Sequence, residues 1–217
     1  MYKNVIFDLD GTLLNTLEDL AGAANWVCAL HGWPVHTVEE FKYFVGNGAP
    51  KLLERVAPAG TELTEELRRQ TLEEFTLRYN AHKSDKTTAY PGVPEVVRRL
   101  KEAGVVLAVL SNKPHEAAQP VVERYYPGLF HRVQGALPGL PVKPDPTLLR
   151  RLMEELGASP ADTLFVGDSN VDIRTAKNGG LAGCGVLWGF RTRQELEGEG
   201  ADYVAEDAQE LAELILR

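Results

Sequence analysis

The feature that most constrains this chain lies at its start, where the apolar run Val5-Ile6-Phe7 leads into Asp8-Leu9-Asp10-Gly11-Thr12. A short apolar run that ends in turn residues predicts a buried strand. Because side chains alternate along a strand, Asp8 and Asp10 should share a face at its carboxyl end. In open α/β sheets, ligands bind at that end.

Two carboxylates held this close repel each other, and a divalent cation is one way to offset the repulsion. The pair therefore predicts a metal site. The alternative from the residues alone is that one aspartate caps a helix and the other ends a turn.

Residues 16–83 show helical periodicity and no pattern typical of a strand. Helices are expected to begin near Thr16, Thr37 and Thr64, with glycine or proline breaks between them. A block of this length is too long for an ordinary loop. We interpret it as an inserted helical domain, with residues 1–15 and 84–217 forming the other domain.

The remainder of the chain alternates between helices and short apolar strands. Strands are predicted at 105–110, 132–135, 163–166, 185–188 and 202–204. This alternation is typical of an α/β fold, a doubly wound parallel sheet with helices on both faces.

Polar side chains follow two more of these strands, namely Ser111-Asn112 and Asp168 with Asp172, and Lys143 precedes a predicted helix. Taken singly, Ser111 would be a helix-entry residue and Lys143 a solvated loop lysine. The carboxyl ends of parallel strands converge on one edge, so we expect these groups to meet Asp8 and Asp10 there. Carboxylates, a hydroxyl and an ammonium together suit the holding and attack of a phosphoryl group.

Four segments of the chain resemble, in order, the four motifs of the haloacid dehalogenase superfamily. They are Asp8-Leu9-Asp10-Gly11-Thr12, Ser111, Lys143 and Gly167-Asp168-x-x-x-Asp172. The resemblance covers essentially the whole chain. It implies a doubly wound core with a helical cap inserted after the first motif, as residues 16–83 suggest.

The resemblance also implies roles at the metal. Asp8 would be the nucleophile that forms an aspartyl-phosphate, and Asp10 the general acid and then the general base. Mg²⁺ would be held by Asp8, the main-chain carbonyl of Asp10, and Asp168. Dehalogenases of this superfamily lack a carboxylate at the position of Asp10, so phosphoryl transfer is favoured over carbon–halogen chemistry.

Further roles follow around the phosphoryl group. Ser111 and Lys143 would bind its oxygens, and Asp172 would support both Lys143 and the metal from behind. Thr12 and Asn112 are expected to contribute to substrate binding.

The segment Val45-Gly46-Asn47-Gly48-Ala49-Pro50-Lys51 resembles the cap loop of phosphoglycolate phosphatases within this superfamily. Gly46, Asn47, Gly48 and Lys51 are therefore expected to bind substrate, with 2-phosphoglycolate as the leading candidate. Glycines allow main-chain N–H groups to approach a small anion. The alternative is a helix-breaking loop without a ligand.

The composition of the chain limits the kinds of partner that it could bind. The formal charge is −8, from 23 basic and 31 acidic residues, and this argues against a nucleic-acid or membrane-surface binder. No apolar run approaches the roughly 20 residues of a membrane span. The two cysteines show no paired spacing, which favours a reducing compartment, so we expect a cytoplasmic protein. The resemblance implies that it acts on a small phosphorylated metabolite, and we expect a monomer or a homodimer.

Several alternatives stay open at this point. They are a phosphosugar mutase, a pyrophosphatase or nucleotidase of the same superfamily, and a non-catalytic protein that binds a phosphorylated metabolite. Two features are assigned no chemistry: Trp188 is expected in the core or at a domain interface, and Arg191-Thr192-Arg193-Gln194-Glu195 is expected to be a solvated helix start.

Overall fold

The computed structural model describes all 217 residues, which fall into two compact units. One unit comprises Met1–Asn15 and Ala89–Arg217, and the other is Thr16–Thr88. The second unit extends past residue 83 because the buried Asp19 holds the returning chain. Its carboxylate accepts hydrogen bonds from the Lys86 N–H at 3.0 Å and from the Thr87 N–H at 2.9 Å.

The larger unit is built on one parallel six-stranded sheet, which confirms the predicted fold class. Its strands lie in the order β5-β4-β1-β6-β7-β8. Their bounds are β1 Asn4–Phe7, β4 Val106–Pro114, β5 Arg132–Ala136, β6 Thr163–Gly167, β7 Ala182–Val186 and β8 Tyr203–Ala205. Two short strands, β2 Leu14–Asn15 and β3 Thr88–Ala89, form a separate pair.

Helices cover both faces of the large sheet, as strand alternation requires. Val5 and Phe7 point into a core shared with α5 Val93–Glu102, α6 His115–Tyr125 and α10 Ala208–Leu216. Ile6, between them, packs in the opposite core with α7 Thr147–Leu156 and α8 Asn170–Gly179. A 3-10 turn at Pro160–Asp162 and the short helix α9 Arg193–Gly198 complete the unit.

Strand β7 begins and ends earlier than the predicted 185–188. Its sequence Ala182-Gly183-Cys184-Gly185-Val186 is poor in the large apolar residues that mark a strand. The glycines are explained by packing, since a Cβ on Gly185 would lie 2.8 Å from the Leu196 Cδ1 and one on Gly183 would lie 3.1 Å from the Ala176 Cβ. Because helices pack so closely against β7, glycines occupy two positions at which a strand pattern would show large apolar residues.

The smaller unit contains four helices, α1 Leu17–Leu30, α2 Val38–Phe44, α3 Ala49–Val56 and α4 Glu65–His82. Helix α1 packs against the other three. The helix start predicted near Thr37 is a capping box: the Thr37 hydroxyl accepts from the Glu40 N–H, and the Glu40 carboxylate accepts from the Thr37 N–H. No helix of either unit combines the length and apolar character that crossing a lipid bilayer requires.

Candidate active site

The site lies at the carboxyl end of three adjacent strands, β4, β1 and β6. Strand β1 ends at Phe7 and is followed by Asp8, β4 carries Ser111, and β6 ends at Gly167, just before Asp168. All three polar side chains belong to buried residues. Parallel pairing places these ends side by side, which is why motifs more than 50 residues apart meet here.

Lys143 is the link between two of the site carboxylates. Its Nζ lies 2.7 Å from the Asp8 Oδ1 and 2.7 Å from the Asp172 Oδ1, and its side chain is 3% exposed. Burial alone would lower the pKa of Lys143, but the carboxylates of Asp172 and Asp8 outweigh it and raise that pKa. Lys143 is therefore a buried cation held between two acids, not a solvated loop lysine.

Asn112 fixes the main chain of Lys143. Its amide nitrogen donates to the Lys143 carbonyl at 3.0 Å, and its amide oxygen accepts from the Lys143 N–H at 2.8 Å. Both ends of the side-chain amide are thus used to anchor the lysine-bearing loop. The expected role of Asn112 in substrate binding stays a prediction, and the structure adds this positioning role.

A cluster of three carboxylates surrounds the lysine. Asp8, Asp168 and Asp172 each place a carboxylate oxygen within 4.8 Å of the others. Burial raises the pKa of Asp8 to about 7, with Lys143 opposing the rise and Asp172 adding to it. Burial also raises the pKa of Asp168, and Asp172 and Asp8 raise it further. These acids retain repulsion that Lys143 does not cancel, and carboxylate oxygens suit a hard divalent cation such as Mg²⁺. The residues present therefore fit a divalent metal.

Within that cluster, both carboxylate oxygens of Asp172 already accept hydrogen bonds from other residues. Its Oδ2 accepts from the Ser169 N–H at 3.0 Å and from the Ser169 hydroxyl at 2.6 Å, while its Oδ1 faces Lys143. Gly167 lies directly against it, since a Cβ there would overlap the Asp172 side chain. With both oxygens so used, Asp172 supports the cluster, and Asp8 and Asp168 are better placed to meet a cation.

Asp168 is oriented by two donors, one on each oxygen. The Thr12 hydroxyl donates to Oδ1 at 3.2 Å, and the Phe190 N–H donates to Oδ2 at 2.8 Å. Hydrogen bonds of this kind fix a metal-binding carboxylate in one orientation. Thr12, predicted to bind substrate, is thus seen to hold Asp168.

The segment Trp188-Gly189-Phe190, which follows β7, encloses this corner of the site and was not predicted to take part. The Trp188 Nε1 donates to the Thr12 main-chain carbonyl at 2.9 Å. A Cβ on Gly189 would lie 2.5 Å from the Gly11 carbonyl oxygen and would overlap Asp168. The available signal was its place after a parallel strand, at the same sheet edge as the other motifs.

Lys113 is a second residue to which the sequence assigned no role. Its Nζ lies 3.1 Å from the Asp10 Oδ2, and its side chain is 3% exposed. The other oxygen of Asp10, Oδ1, is buried with no hydrogen-bond partner. The available signal was its position two residues after Ser111, close to the sheet edge at which the other motifs meet.

Arg191 corrects an expectation for the 191–195 run. Helix α9 begins at Arg193 with Thr192 as its N-cap. Arg191 precedes it and has a side chain only 8% exposed, so this residue is not solvated. Its charge also acts on Asp168, where it works against the raised pKa that burial and the neighbouring acids produce.

The other predicted substrate-binding residues belong to the helical unit. Gly46 and Gly48 have φ of 109° and 82°, values that favour glycine. Arg55 braces their loop by donating to the Asn47 Oδ1 at 2.8 Å and to the Phe44 carbonyl at 2.8 Å. Lys51 is half exposed and pairs with Glu54 at 2.6 Å. Their role toward a substrate stays a prediction.

Comparison with known proteins agrees with this geometry. Residues 2–180 match a family model described as haloacid dehalogenase-like hydrolase. A phosphoglycolate phosphatase of Haemophilus influenzae (strain 86-028NP) is 36% identical over 222 residues, which is 99% of this chain and 98% of that protein. The phosphoglycolate phosphatase of Pseudomonas syringae pv. syringae (strain B728a) is 35% identical over 213 residues, or 96% of this chain and 78% of that one.

The same likeness is found among solved structures. The crystal structure of a predicted phosphoglycolate phosphatase from Haemophilus somnus 129pt superposes with a TM-score of 0.89 at 32% identity. The match covers 98% of this chain and 97% of that chain. Both units of the present chain therefore have counterparts in the relative.

Proposed function

Because the chain belongs to the haloacid dehalogenase-like hydrolase family, we propose that it is a Mg²⁺-dependent phosphatase that works through a phosphorylated Asp8. The observation that carries the proposal is the buried Lys143, set 2.7 Å from Asp8 beside the Asp8, Asp168 and Asp172 cluster. A carboxylate attacks an anionic phosphate only where cations offset the repulsion, and this arrangement offers both a fixed ammonium and a place for a metal.

In the first step, an Asp8 carboxylate oxygen attacks phosphorus, and the bond from phosphorus to the leaving oxygen breaks. Asp10 gives its proton to that oxygen, and the alcohol departs. Lys143 and the Ser111 hydroxyl bind phosphoryl oxygens and hold the group in line with Asp8. The product of this step is an aspartyl-phosphate on Asp8.

In the second step, Asp10 removes a proton from water, whose oxygen attacks phosphorus. The bond between phosphorus and Asp8 breaks, and inorganic phosphate is released. A Mg²⁺ ion held by Asp8, Asp168 and the Asp10 main-chain carbonyl would supply charge neutralisation on the phosphoryl oxygens. Asp172 and Ser169 keep Lys143 and the cluster in place throughout.

We further propose that the substrate is a small phosphate monoester, with 2-phosphoglycolate the leading candidate. The names of relatives at 35–36% identity support this choice. In this proposal the helical unit acts as a cap, and Gly46, Asn47, Gly48 and Lys51 take part in substrate recognition. The bracing of that loop by Arg55 supports a preformed recognition element.

Phosphate release with Mg²⁺ tests the proposal, on a panel that contains 2-phosphoglycolate, sugar phosphates, nucleoside monophosphates and pyrophosphate. We expect 2-phosphoglycolate to show the highest kcat/KM of the panel. Asp8→Asn should lower kcat at least about 1,000-fold, as the loss of a catalytic nucleophile generally does. EDTA should abolish turnover, and added Mg²⁺ should restore it.

Asp162→Asn is the matched control, because Asp162 is an aspartate of the same unit whose side chain is 41% exposed and pairs with the exposed Lys3. It should keep the wild-type rate. Turnover that survives Asp8→Asn contradicts the covalent mechanism. Interconversion of sugar phosphates without net phosphate release would identify a mutase, and binding without turnover across the panel would identify a non-catalytic protein.

A further inference from the structure

The segment that carries Lys143 depends on the rest of the fold for its hydrogen bonds. It reads Pro141-Val142-Lys143-Pro144-Asp145-Pro146 and lies between β5 and α7. Three of these six residues are prolines, which have no N–H to donate. Buried main-chain groups must find partners elsewhere when their own segment supplies none. The place of the buried Lys143 is therefore decided by side chains from other elements.

Two asparagines from different elements supply those partners. Asn112 of β4 binds both the N–H and the carbonyl of Lys143. Asn178 donates from its Nδ2 to the carbonyl of the next residue, Pro144, at 2.9 Å. Since Pro144 has no N–H, the two side chains bind three consecutive main-chain polar groups. Asn112 is buried, whereas Asn178 is exposed and lies in the last turn of α8.

Helix α8 also binds the other end of the lysine. Asp172, in the first turn of this helix, places its Oδ1 at 2.7 Å from the Lys143 Nζ. Six residues of helix separate Asp172 from Asn178, which corresponds to about 9 Å along the axis. The helix thus contacts the ammonium near its start and the main chain of the lysine segment near its end. A shift of that segment along α8 would move the Nζ away from Asp8, which it meets at 2.7 Å.

The end of α8 is itself held firmly, so the Asn178 amide starts from a defined place. Gly179 packs against α7, since a Cβ there would lie 2.4 Å from the Leu149 Cδ2. The Arg150 guanidinium of α7 donates to the Asn178 carbonyl at 3.4 Å. Helix α7 directly follows the lysine segment, so both ends of that segment are referred to the same pair of packed helices.

We propose that Asn178 is a positioning residue for phosphoryl transfer, because its hydrogen bond to Pro144 fixes the main chain from which Lys143 reaches Asp8. This inference rests on the proposed function, since it needs Lys143 to bind the transferring phosphoryl group. Asn178 itself touches no reacting atom and acts through Pro144 and Lys143.

The test is steady-state kinetics of Asn178→Ala with saturating Mg²⁺ on two monoesters, 2-phosphoglycolate and 4-nitrophenyl phosphate. We expect kcat to fall by about 10-fold, less than the roughly 100-fold that a misplacement of about 1 Å can cost. KM should change by less than about 2-fold, because a lysine out of place weakens the transition state more than the bound substrate. The fall should be the same on both esters, because Lys143 contacts the phosphoryl group that they share.

Two further variants separate the hydrogen bond from the shape of the side chain. Asn178→Asp keeps the shape but faces the Pro144 carbonyl with an acceptor, so kcat should fall at least as far as in Asn178→Ala. Asn178→Gln keeps the donor and should recover part of the lost kcat. Weakening of the helix does not explain such a pattern, since alanine is a better helix former than asparagine.

Lys177→Ala is the matched control. Lys177 is the exposed neighbour of Asn178 on α8, and its Nζ donates to the main-chain carbonyl of Glu199, away from the lysine segment. This variant also loses one hydrogen bond from a side chain to a carbonyl, but it should keep the wild-type kcat on both esters.

A wild-type kcat in Asn178→Ala or in Asn178→Asp would overturn the inference and leave the phosphatase proposal intact. So would a fall that Lys177→Ala shares, a fall on only one of the two esters, or a rise in KM at constant kcat. A wild-type protein that hydrolyses neither these esters nor any other of the panel would instead overturn the proposed function, and the inference with it.

Discussion

The two units of this protein differ in how much charge they bury in one place. In the parallel-sheet unit, charged side chains at the carboxyl edge are buried and closely packed: Asp8, Lys113, Lys143, Asp168 and Asp172. In the helical unit, most ion pairs have at least one exposed partner. Arg69 of α4, for example, is 57% exposed and pairs with Glu66 and Glu73 on the same helix.

The exception in the helical unit shows what burial requires. Asp19 is buried, but it accepts hydrogen bonds from the main chain of Lys86 and Thr87 and from the Thr87 hydroxyl at 2.7 Å. Its charge is thus satisfied by donors that come with the fold. The carboxylates of Asp8 and Asp168 instead face other acids, and burial, together with repulsion from neighbouring carboxylates, raises the pKa of each.

The carboxyl edge of the parallel sheet is therefore arranged for chemistry at the expense of stability. Exposed pairs contribute little, because water and salt already stabilise their charges. Buried like charges raise the free energy of the folded state until a cation joins them. The same substitution type should therefore have very different effects in the two units.

The largest effect is expected for Lys143→Met, measured by urea unfolding in the absence of metal at about pH 8. This change leaves Asp8 and Asp172 buried without their shared cation. Removal of one partner from a buried ion pair typically lowers the free energy of unfolding by about 3–5 kcal/mol. Phosphatase activity should be lost together with stability.

Arg69→Met in the helical unit is the control for that change. It also replaces a paired cation by methionine, but the pair is exposed. Its urea midpoint should match that of the wild type within error. An equal loss of stability in the two variants would contradict the comparison between the units.

A smaller effect is expected from metal, and its size should depend on pH. Burial raises the pKa of Asp8 from 3.8 to about 7, with Asp172 adding to the rise against Lys143. The metal-free protein therefore loses stability as pH rises through about 7, because the folded state resists ionisation of Asp8. A divalent cation favours the ionised form of Asp8, so the stabilising effect of the cation should grow as pH rises to about 7 and above.

Thermal melting with Mg²⁺ and with EDTA, at about pH 5.5 and about pH 8, measures this effect. At a concentration of about 100 times the dissociation constant, a ligand stabilises by about 2.7 kcal/mol. At the higher pH we expect a rise in Tm that corresponds to a stabilisation of that order. At the lower pH the rise should be much smaller. In Asp8→Asn the metal-free protein should melt higher than the wild type, and the pH dependence should weaken. A metal effect that is equal at both pH values would refute this account.

Much of the core and its site could be predicted from the sequence because the information there is local. The run Val5-Ile6-Phe7 identifies a strand, and Asp8 and Asp168 directly follow strands whose parallel pairing brings their ends together. Order along the chain, combined with the rules of parallel sheets, was enough to bring residues 8 and 168 to one place.

The parts that were missed depend on contacts that no local pattern encodes. Lys113 resembles a loop lysine until β4 is seen to continue through Pro114. Strand β7 is obscured by Gly183 and Gly185, which are there because helices approach closely. Trp188 looks like any core tryptophan, and only the structure shows its Nε1 bonded to a carbonyl 176 residues away.

The smallest effect is expected for Trp188→Phe, which keeps a ring in place but removes the hydrogen bond to the Thr12 carbonyl. The free energy of unfolding should fall by about 1 kcal/mol, the typical net value of one hydrogen bond. Thr12 in turn holds Asp168, so metal affinity should fall as well. We expect the lower end of the about 10- to 100-fold loss seen when outer partners of metal ligands are removed.

Calorimetric titration with Mn²⁺ measures that affinity without reliance on turnover, and Trp26→Phe supplies the counterpart in the helical unit. The Cζ of Arg78 lies over the Trp26 ring, 5.8 Å from the ring centroid. A phenylalanine ring retains much of such an interaction. Trp26→Phe should therefore leave metal affinity unchanged. If both variants weaken Mn²⁺ equally, the loss reflects general destabilisation, and Trp188 has no particular part in holding the Thr12 and Asp168 corner. If only Trp188→Phe weakens Mn²⁺ binding, the hydrogen bond from Trp188 to the Thr12 carbonyl specifically supports the Thr12 and Asp168 corner of the site.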